Sequence, residues 1–416
     1  MPCSSNANAA LIAGYSLCLP FADSSEALIA NLRQGKRVAA CGWFASDEDA
    51  VKSGFKRNRQ FARLPPEPAG LFARLTRLID RALTQAQLDK SCLTGERARV
   101  YLTGLGPRVD ARAYKSFYDR NDIDDLRVTP SIAQLQIASM SQDRLSQQLA
   151  QHYNLRYLPP NLNCASNSAL AAVHIGCQAI EQGGVDRVMV INCSEITTQD
   201  FWFLETQHML ESDSVQPFGA QSNSVLFADG FCVMLLESRR HRAARRLHGG
   251  VRLRSVYDRN GAGKSHDTAY LSANLLRLMK NALRHAGLTL PQLCAIMPHG
   301  NGAAGSDKAE AQALAQLLAA HPLPLLAYKG QIGYTATGSG LIDLIIAHHA
   351  LLQGELIPAQ DNAAVIDALA PHLLIGGQAV THNRPHLLKI GVSVDGALIA
   401  VVLSAERREG CADDQH

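Results

Sequence analysis

Short apolar runs rich in β-branched residues alternate with longer segments of helical period along almost the whole chain. The runs RVYLTGLG (99–106), RVMVINCS (187–194) and CAIMPHG (294–300) have the length and composition of buried strands. Helical patterns lie between them. SSEALIANLRQGK (24–36) opens on serine N-caps, and TAYLSANLLRLMKNALRHAG (268–287) stops at a glycine. ASNSALAAVHIGCQAIEQGG (165–184) stops at Gly183-Gly184, and SDKAEAQALAQLLAAH (306–321) offers Ser306 as a cap with acids in its first turn. This alternation predicts an α/β protein in which helices pack around sheets.

Two long β-rich segments, SVLFADGFCVMLLES (224–238) and KIGVSVDGALIAVVLSA (389–405), each read as a pair of apolar runs broken by a Gly-containing turn. Both patterns predict hairpins. The arginine-rich RRHRAARR (239–246) falls between the two parts and reads as a solvated linker. A length of 416 residues is more than one small core needs, so two units are expected, residues 1–245 and 246–416. No sequence repeat relates them, and a duplicated architecture is a topological expectation.

Composition narrows the class. With 47 % hydrophobic and 19 % charged residues, the chain is an ordinary globule, without low-complexity segments. Forty basic against 37 acidic residues leave +3, which gives no argument for a nucleic-acid partner. The opening segment lacks a basic region followed by a long apolar stretch, and no run approaches about 18 apolar residues. A cytoplasmic protein with no membrane insertion is the expectation. The ten cysteines show no CxxC or zinc-like spacing, so no metal is implied.

Three stretches could carry chemistry. Cys164 follows the turn-forming PPNLN and precedes the helical pattern, where a positive helix terminus favours thiolate. Cys177, mid-helix among apolar residues, has no such help. His299 ends an apolar run beside the small-residue loop GNGAAG, with Asp307 and Glu310 opening the next helix. A thiol nucleophile for acyl transfer needs an imidazole of this kind. The third stretch runs from Lys329 through Tyr334 into an apolar helix. GAGKS (261–265) invites a phosphate-loop reading, but the motif's first glycine would fall on Asp258, whose carboxylate repels phosphate. That reading is rejected.

Taken in order, CASNSAL from Cys164, QPFGAQSNSVLFADG (216–230), HGNGAAGSDKAE (299–310), KGQIGYTATGSG (329–340) and IGVSVDGAL (390–398) resemble the motifs of the β-ketoacyl synthase family. The intervals agree: 299 − 164 = 135, 310 − 299 = 11, 329 − 299 = 30 and 334 − 329 = 5. The resemblance implies a thiolase-like fold of two similar halves, each with a mixed five-stranded sheet, stacked α-β-α-β-α. It implies that Cys164 takes an acyl group from an acyl carrier protein as a thioester. Malonyl-carrier would then lose carbon dioxide and attack that thioester. The phosphopantetheine arm would come with the carrier, so no cofactor of the chain's own is implied.

Further roles follow from the same resemblance. The N–H groups of Cys164 and of a residue near Val392 would bind the oxyanion. Lys329 and Glu310 would hold the His299 region in register. Val225, Val392, Gly391 and Asn301 would meet the substrate, both valines standing where the family usually has phenylalanines. A homodimer, or a heterodimer with another ketosynthase, is expected, with sheet pairing near RVMVINCS.

Departures from the pattern set the alternatives. Tyr334 stands where the family has a second histidine, and a phenol with pKa near 10 is a poor stand-in for imidazole. Gly219 replaces an acid, and the closing GFGGTN is reduced to GVSVDG. The first reading is a divergent synthase doing acyl transfer or decarboxylative elongation in fatty-acid or polyketide (aryl-polyene-like) biosynthesis. The second is a chain-length-factor-like subunit that shapes a partner's acyl tunnel. A Cys–His thioester hydrolase fits the dyad without a motif of its own.

Overall fold

A computed structural model describes residues 7–104, 142–213, 215–259, 267–360 and 363–406. GAGKS and the last two residues of the run 99–106 lie outside the described residues. The strands of the first part are β1 (Ala10–Cys18), β2 (Cys41–Gly42), β3 (Gln60–Ala62), β4 (Ala98–Thr103), β5 (Asn161–Leu162), β6 (Arg187–Ser194), β7 (Phe227–Ala228) and β8 (Gly230–Ser238). Those of the second are β9 (Gly250–Arg259), β10 (Leu293–Met297), β11 (Glu355–Leu356), β12 (Val380–Thr381), β13 (His386–Val392) and β14 (Ala397–Glu406).

Nine of them join one sheet in the order β10-β13-β14-β9-β1-β8-β6-β4-β5. The order reads as two copies of one plan. In the first, β1 is antiparallel to β8, β8 antiparallel to β6, β6 parallel to β4 and β4 parallel to β5. In the second, β9, β14, β13 and β10 repeat those senses, and a parallel bridge from Ile296 to Leu325 takes the fifth place. The copies meet where Ala10–Ile12 pair with residues 251–253. The resemblance implies a five-stranded sheet in each half, and the β1–β9 pairing joins the two halves into one hydrogen-bonded strand order.

Alternation along each strand explains why helices cover both faces. Val188, Val190, Met234 and Leu236 pack in the same cluster as the helix Ser168–Glu181, while Met189, Ile191, Val233 and Leu235 pack with the helix Gly70–Gln85. On β14, Ile399, Val401 and Leu403 face the first cluster, and Leu398, Ala400 and Val402 pack with Thr268–Ala286 and Ala304–Leu318. The outer helix Gly70–Gln85 buries a single stripe: Arg74, Leu75, Leu78, Ile79, Ala82 and Leu83. The central helix Ser339–Gln353 is instead buried at every position from Ser339 to Ala347. It crosses Ser168–Glu181 so closely that a Cβ on Gly340 would lie 2.3 Å from Leu170 Cγ. The result is an α-β-α-β-α stack with the two central helices in its middle.

Several expectations are corrected. The segment 389–405 is the predicted hairpin, but 224–238 is not. Phe227–Ala228 pair in parallel with Phe61–Ala62 in a separate small sheet, and the chain then enters β8 between β1 and β6. The switch is held by partly buried Asp229, whose carboxylate accepts the N–H groups of Leu64 and Ile196. The arginine-rich run is not a free linker. It forms the helix Arg239–Ala244, capped by Ser238, and His241, Arg242 and Arg245 converge on the wholly buried Glu237. Arg240 pairs with Asp186 and Arg239 with Glu406. The helix predicted from Ser306 begins at Ala304, and Ser306 donates to the Ala303 carbonyl instead of capping. RVMVINCS is bonded on both edges, to β4 and β8, which leaves it no free edge for pairing with a second chain.

Candidate active site

Cys164 is the N-cap of a one-turn 3-10 helix, Ala165–Asn167, that runs directly into Ser168–Glu181. It is partly exposed, as a nucleophile must be, whereas Cys177 is buried and its thiol is pushed up by that burial. Ala165 adopts φ 42°, a left-handed conformation that costs an alanine of order 1–3 kcal/mol. The turn is pinned from the other half of the chain. Ser393 Oγ donates to the Cys164 carbonyl at 3.1 Å, and Asn167 Nδ2 donates to the Ala397 carbonyl at 2.8 Å.

Gly391 makes that docking possible, since a Cβ there would fall 2.3 Å from Asn167 Oδ1 and 2.7 Å from Leu170 Cδ1. Gly391→Ala is expected to cost about 1–3 kcal/mol through overpacking, read as a lowered urea midpoint. An unchanged midpoint would mean that the hairpin and the nucleophile turn shift apart freely.

The loop after β10 has little regular structure and is held by carboxylates. Glu310 accepts the N–H groups of His299 (2.7 Å) and Gly300 (2.9 Å). Asp307 accepts those of Asn301, Gly302 and Phe218. Burial raises both carboxyl groups, Asp307 to about 6, against the pull of these donors. Behind the loop, Lys329 Nζ donates to the His299 carbonyl and Lys389 Nζ to that of Pro298. Both ammonium groups also reach Asp343 Oδ2, at 2.9 and 2.5 Å, and all three side chains are buried. Burial, then Lys329 and Lys389, keep the His299 pKa well below its ordinary value. The imidazole is therefore neutral near neutral pH.

Tyr334 meets His299 edge-on, with ring centroids 5.9 Å apart, and stacks on Phe227. Its hydroxyl hydrogen-bonds with the side chains of Ser166 and Asn301, and burial pushes its pKa up to about 12. It is a proton-bearing donor near neutrality and no base.

These elements open on one cavity of about 540 Å³. Asn163, Ala165 and Ser166 line it around Cys164, and His299, Asn301, Tyr334 and Val392 line it opposite. Of the residues singled out from the sequence, these four reach the cavity wall. Glu310 and Lys329 stand behind His299, Gly391 sits under the nucleophile turn, and Val225 is buried in an aromatic cluster with Phe201, Phe227 and Tyr334. Ser166, Ser168, Asp343, Lys389 and Ser393 escape the sequence reading. A lone acid in LIDLIIA and a lone lysine in LLKIGV are the available signal, because an isolated charge in an apolar run needs a buried partner.

The structure also exposes a repeat. NCASNSAL (163–170) and YTATGSGL (334–341) form the same element, a 3-10 turn flowing into a central helix. Ala336 has φ 44° against 42° for Ala165, and each serine, Ser168 and Ser339, donates to that alanine's carbonyl. Thr335 is thus the counterpart of Cys164. Three identities in eight small residues are too few to stand out in the sequence, and the shared backbone supplies the match.

Comparison with known proteins agrees with this architecture. Residues 8–242 match the family model for the beta-ketoacyl synthase N-terminal domain, and 253–363 match that for the C-terminal domain. The spectinabilin polyketide synthase system protein NorA of Streptomyces orinoci is 25 % identical over 77 % of this chain, and the compactin diketide synthase mlcB of Penicillium citrinum 25 % over 53 %. The chain spans only 17 % and 9 % of their lengths. Among solved structures, the ishigamide ketosynthase/chain length factor superposes with a TM-score of 0.80 at 19 % identity, covering 96 % of this chain and 99 % of that one. A β-ketoacyl synthase from Burkholderia phymatum gives 0.79 at 18 % identity, over 96 % and 100 %. With both domain models matched in chain order and the doubled strand plan in place, the chain belongs to the β-ketoacyl synthase family and has its thiolase fold.

Proposed function

We propose that this protein accepts an acyl chain from an acyl carrier protein onto Cys164, for acyl transfer or decarboxylative elongation in fatty-acid or polyketide biosynthesis. The observation that carries the reading is one cavity lined both by Asn163, Ala165 and Ser166, the chain neighbours of Cys164, and by neutral His299. Residues 1–245 contribute the nucleophile, and residues 246–416 contribute His299, Lys329 and Tyr334. Sγ attacks the carrier thioester, and the carrier's own pantetheine thiol leaves. His299, uncharged, can then donate a hydrogen bond to the oxygen of a malonyl-derived enolate. Val392 and Asn301 lie along the substrate's path.

The carrier protein is the partner proposed, together with a second ketosynthase-fold chain, identical or not, in the cytoplasm. One solved neighbour in this fold is described as a type II acyl-carrier protein in complex with its ketosynthase bound to the hexaketide. Among the described residues no helix is long and apolar enough to cross a membrane. Intact-protein mass after incubation with a panel of acyl-carrier thioesters tests the reading. Gain of one acyl group supports it, and no gain with any donor favours the chain-length-factor alternative.

Tyr334 is the observation behind that alternative, since its hydroxyl cannot cycle a proton near neutrality. Tyr334→His is expected to raise malonyl decarboxylation by about 10²-fold, the low end of what a general acid–base group contributes. Release of carbon dioxide from malonyl-carrier measures it. An unchanged rate would show that the imidazole is not what the site lacks.

A further inference from the structure

Thioester exchange at Cys164 makes one carbon–sulfur bond and breaks another. Sγ adds to the carbonyl carbon, the carbonyl oxygen takes up negative charge, and its collapse expels the donor's thiolate. That thiolate ends as a thiol with the proton that Cys164 gave up. The donor best placed for such an oxyanion is the nucleophile's own backbone N–H, as in serine acyl-transfer sites.

In this chain that N–H is already committed. Cys164 N–H donates to Ser168 Oγ at 3.0 Å, and the same hydroxyl donates to the Ala165 carbonyl at 2.7 Å. Ser168 is wholly buried at the first position of the central helix, so its hydroxyl has no access to bulk water. The hydroxyl closes a small ring across the strained turn, with the left-handed Ala165 inside it.

We propose that Ser168 is a positioning residue that holds the Cys164 amide in an internal hydrogen bond and so restrains acyl transfer onto the thiol. The proposal rests on the reading of Cys164 as acyl acceptor. A tetrahedral intermediate recovers the donor only when the N–H leaves Ser168. The side chain that stabilises the resting turn therefore opposes the transition state.

Two reactions of the same thiol separate this role from a merely structural one. Acylation by hexanoyl-N-acetylcysteamine thioester builds an oxyanion, whereas alkylation by iodoacetamide does not. Ser168→Ala is expected to speed acylation by at least about 10-fold, toward the 10²–10³ that one oxyanion donor is worth, while alkylation keeps the parent rate. Ser339→Ala, in the matching turn, removes a similar hydroxyl bond that does not involve the Cys164 amide and is expected to leave both rates unchanged. If the alanine variant is unstable, Ser168→Cys fills the site with a slightly larger side chain and a weaker acceptor, and should also be faster than the parent.

Acylation at or below the parent rate with alkylation intact overturns the proposal. It would mean that the Ser168 hydroxyl assists the nucleophile turn. Alkylation of every variant with acylation of none overturns the acyl-acceptor reading itself, and this inference falls with it.

Discussion

Cys164→Ala is expected to abolish acyl loading: the intact mass stays at that of the unmodified chain under conditions in which the parent gains one acyl group. Only a thiolate attacks a thioester at a useful rate, and few other thiols here are placed to supply one. Cys177, Cys193, Cys232 and Cys294 are buried, and burial raises each of their pKa values. Cys92 is buried too, with its thiol pushed up to about 11. Among the described residues Cys41 is exposed and Cys18 partly so, and these are the side chains to examine if a mass shift survives. A surviving shift on Cys41 would sink the assignment of Cys164 as nucleophile.

The largest loss of stability is expected from Asp343→Asn. Its carboxylate is the shared counter-charge of two buried ammonium groups, Lys329 and Lys389, which in turn hold the carbonyls of His299 and Pro298. Removing one partner of a buried charge set typically costs about 3–5 kcal/mol, which a urea titration reads as a lower midpoint. The amide leaves two cations facing each other without compensation. Loss of His299 register should accompany it, seen as a fall in acyl transfer among molecules still folded.

The pH dependence has a definite sign. Burial alone would raise the Asp343 pKa, but Lys329 and Lys389 outweigh it and hold the group below its ordinary value of 3.8. A carboxyl depressed in the folded state stabilises above its unfolded pKa, and that contribution is lost as pH falls through the folded one. The parent should exceed Asp343→Asn by the full margin at neutral pH, and the gap should close only below about pH 4. A gap that instead closed on raising the pH from 5 to 8 would contradict the assigned charge state.

The fold was legible wherever a local pattern had one physical solution. Gly287 stops its helix in the left-handed conformation, Ser24 caps the helix Ser25–Arg33, and the hairpin 386–406 follows from two apolar runs around Asp395-Gly396. The same logic failed at 224–238, where Asp229 redirects the chain through bonds to residues 33 and 165 positions away. It failed again at 239–246, because arginines look solvated until Glu237 and Asp186 are brought beneath them.

The order and spacing of Cys164, His299, Lys329 and Tyr334 were determined by the sequence itself, and with them the family. Their spacing survives because the strands and helices between them have fixed lengths. Only the tertiary structure decided that His299 is neutral, that Tyr334 keeps its proton beside Ser166 and Asn301, that Asp343 joins two lysines, and that the Cys164 amide is already bonded to Ser168. Those properties depend on burial and on partners distant in the chain, and neither is carried by local sequence.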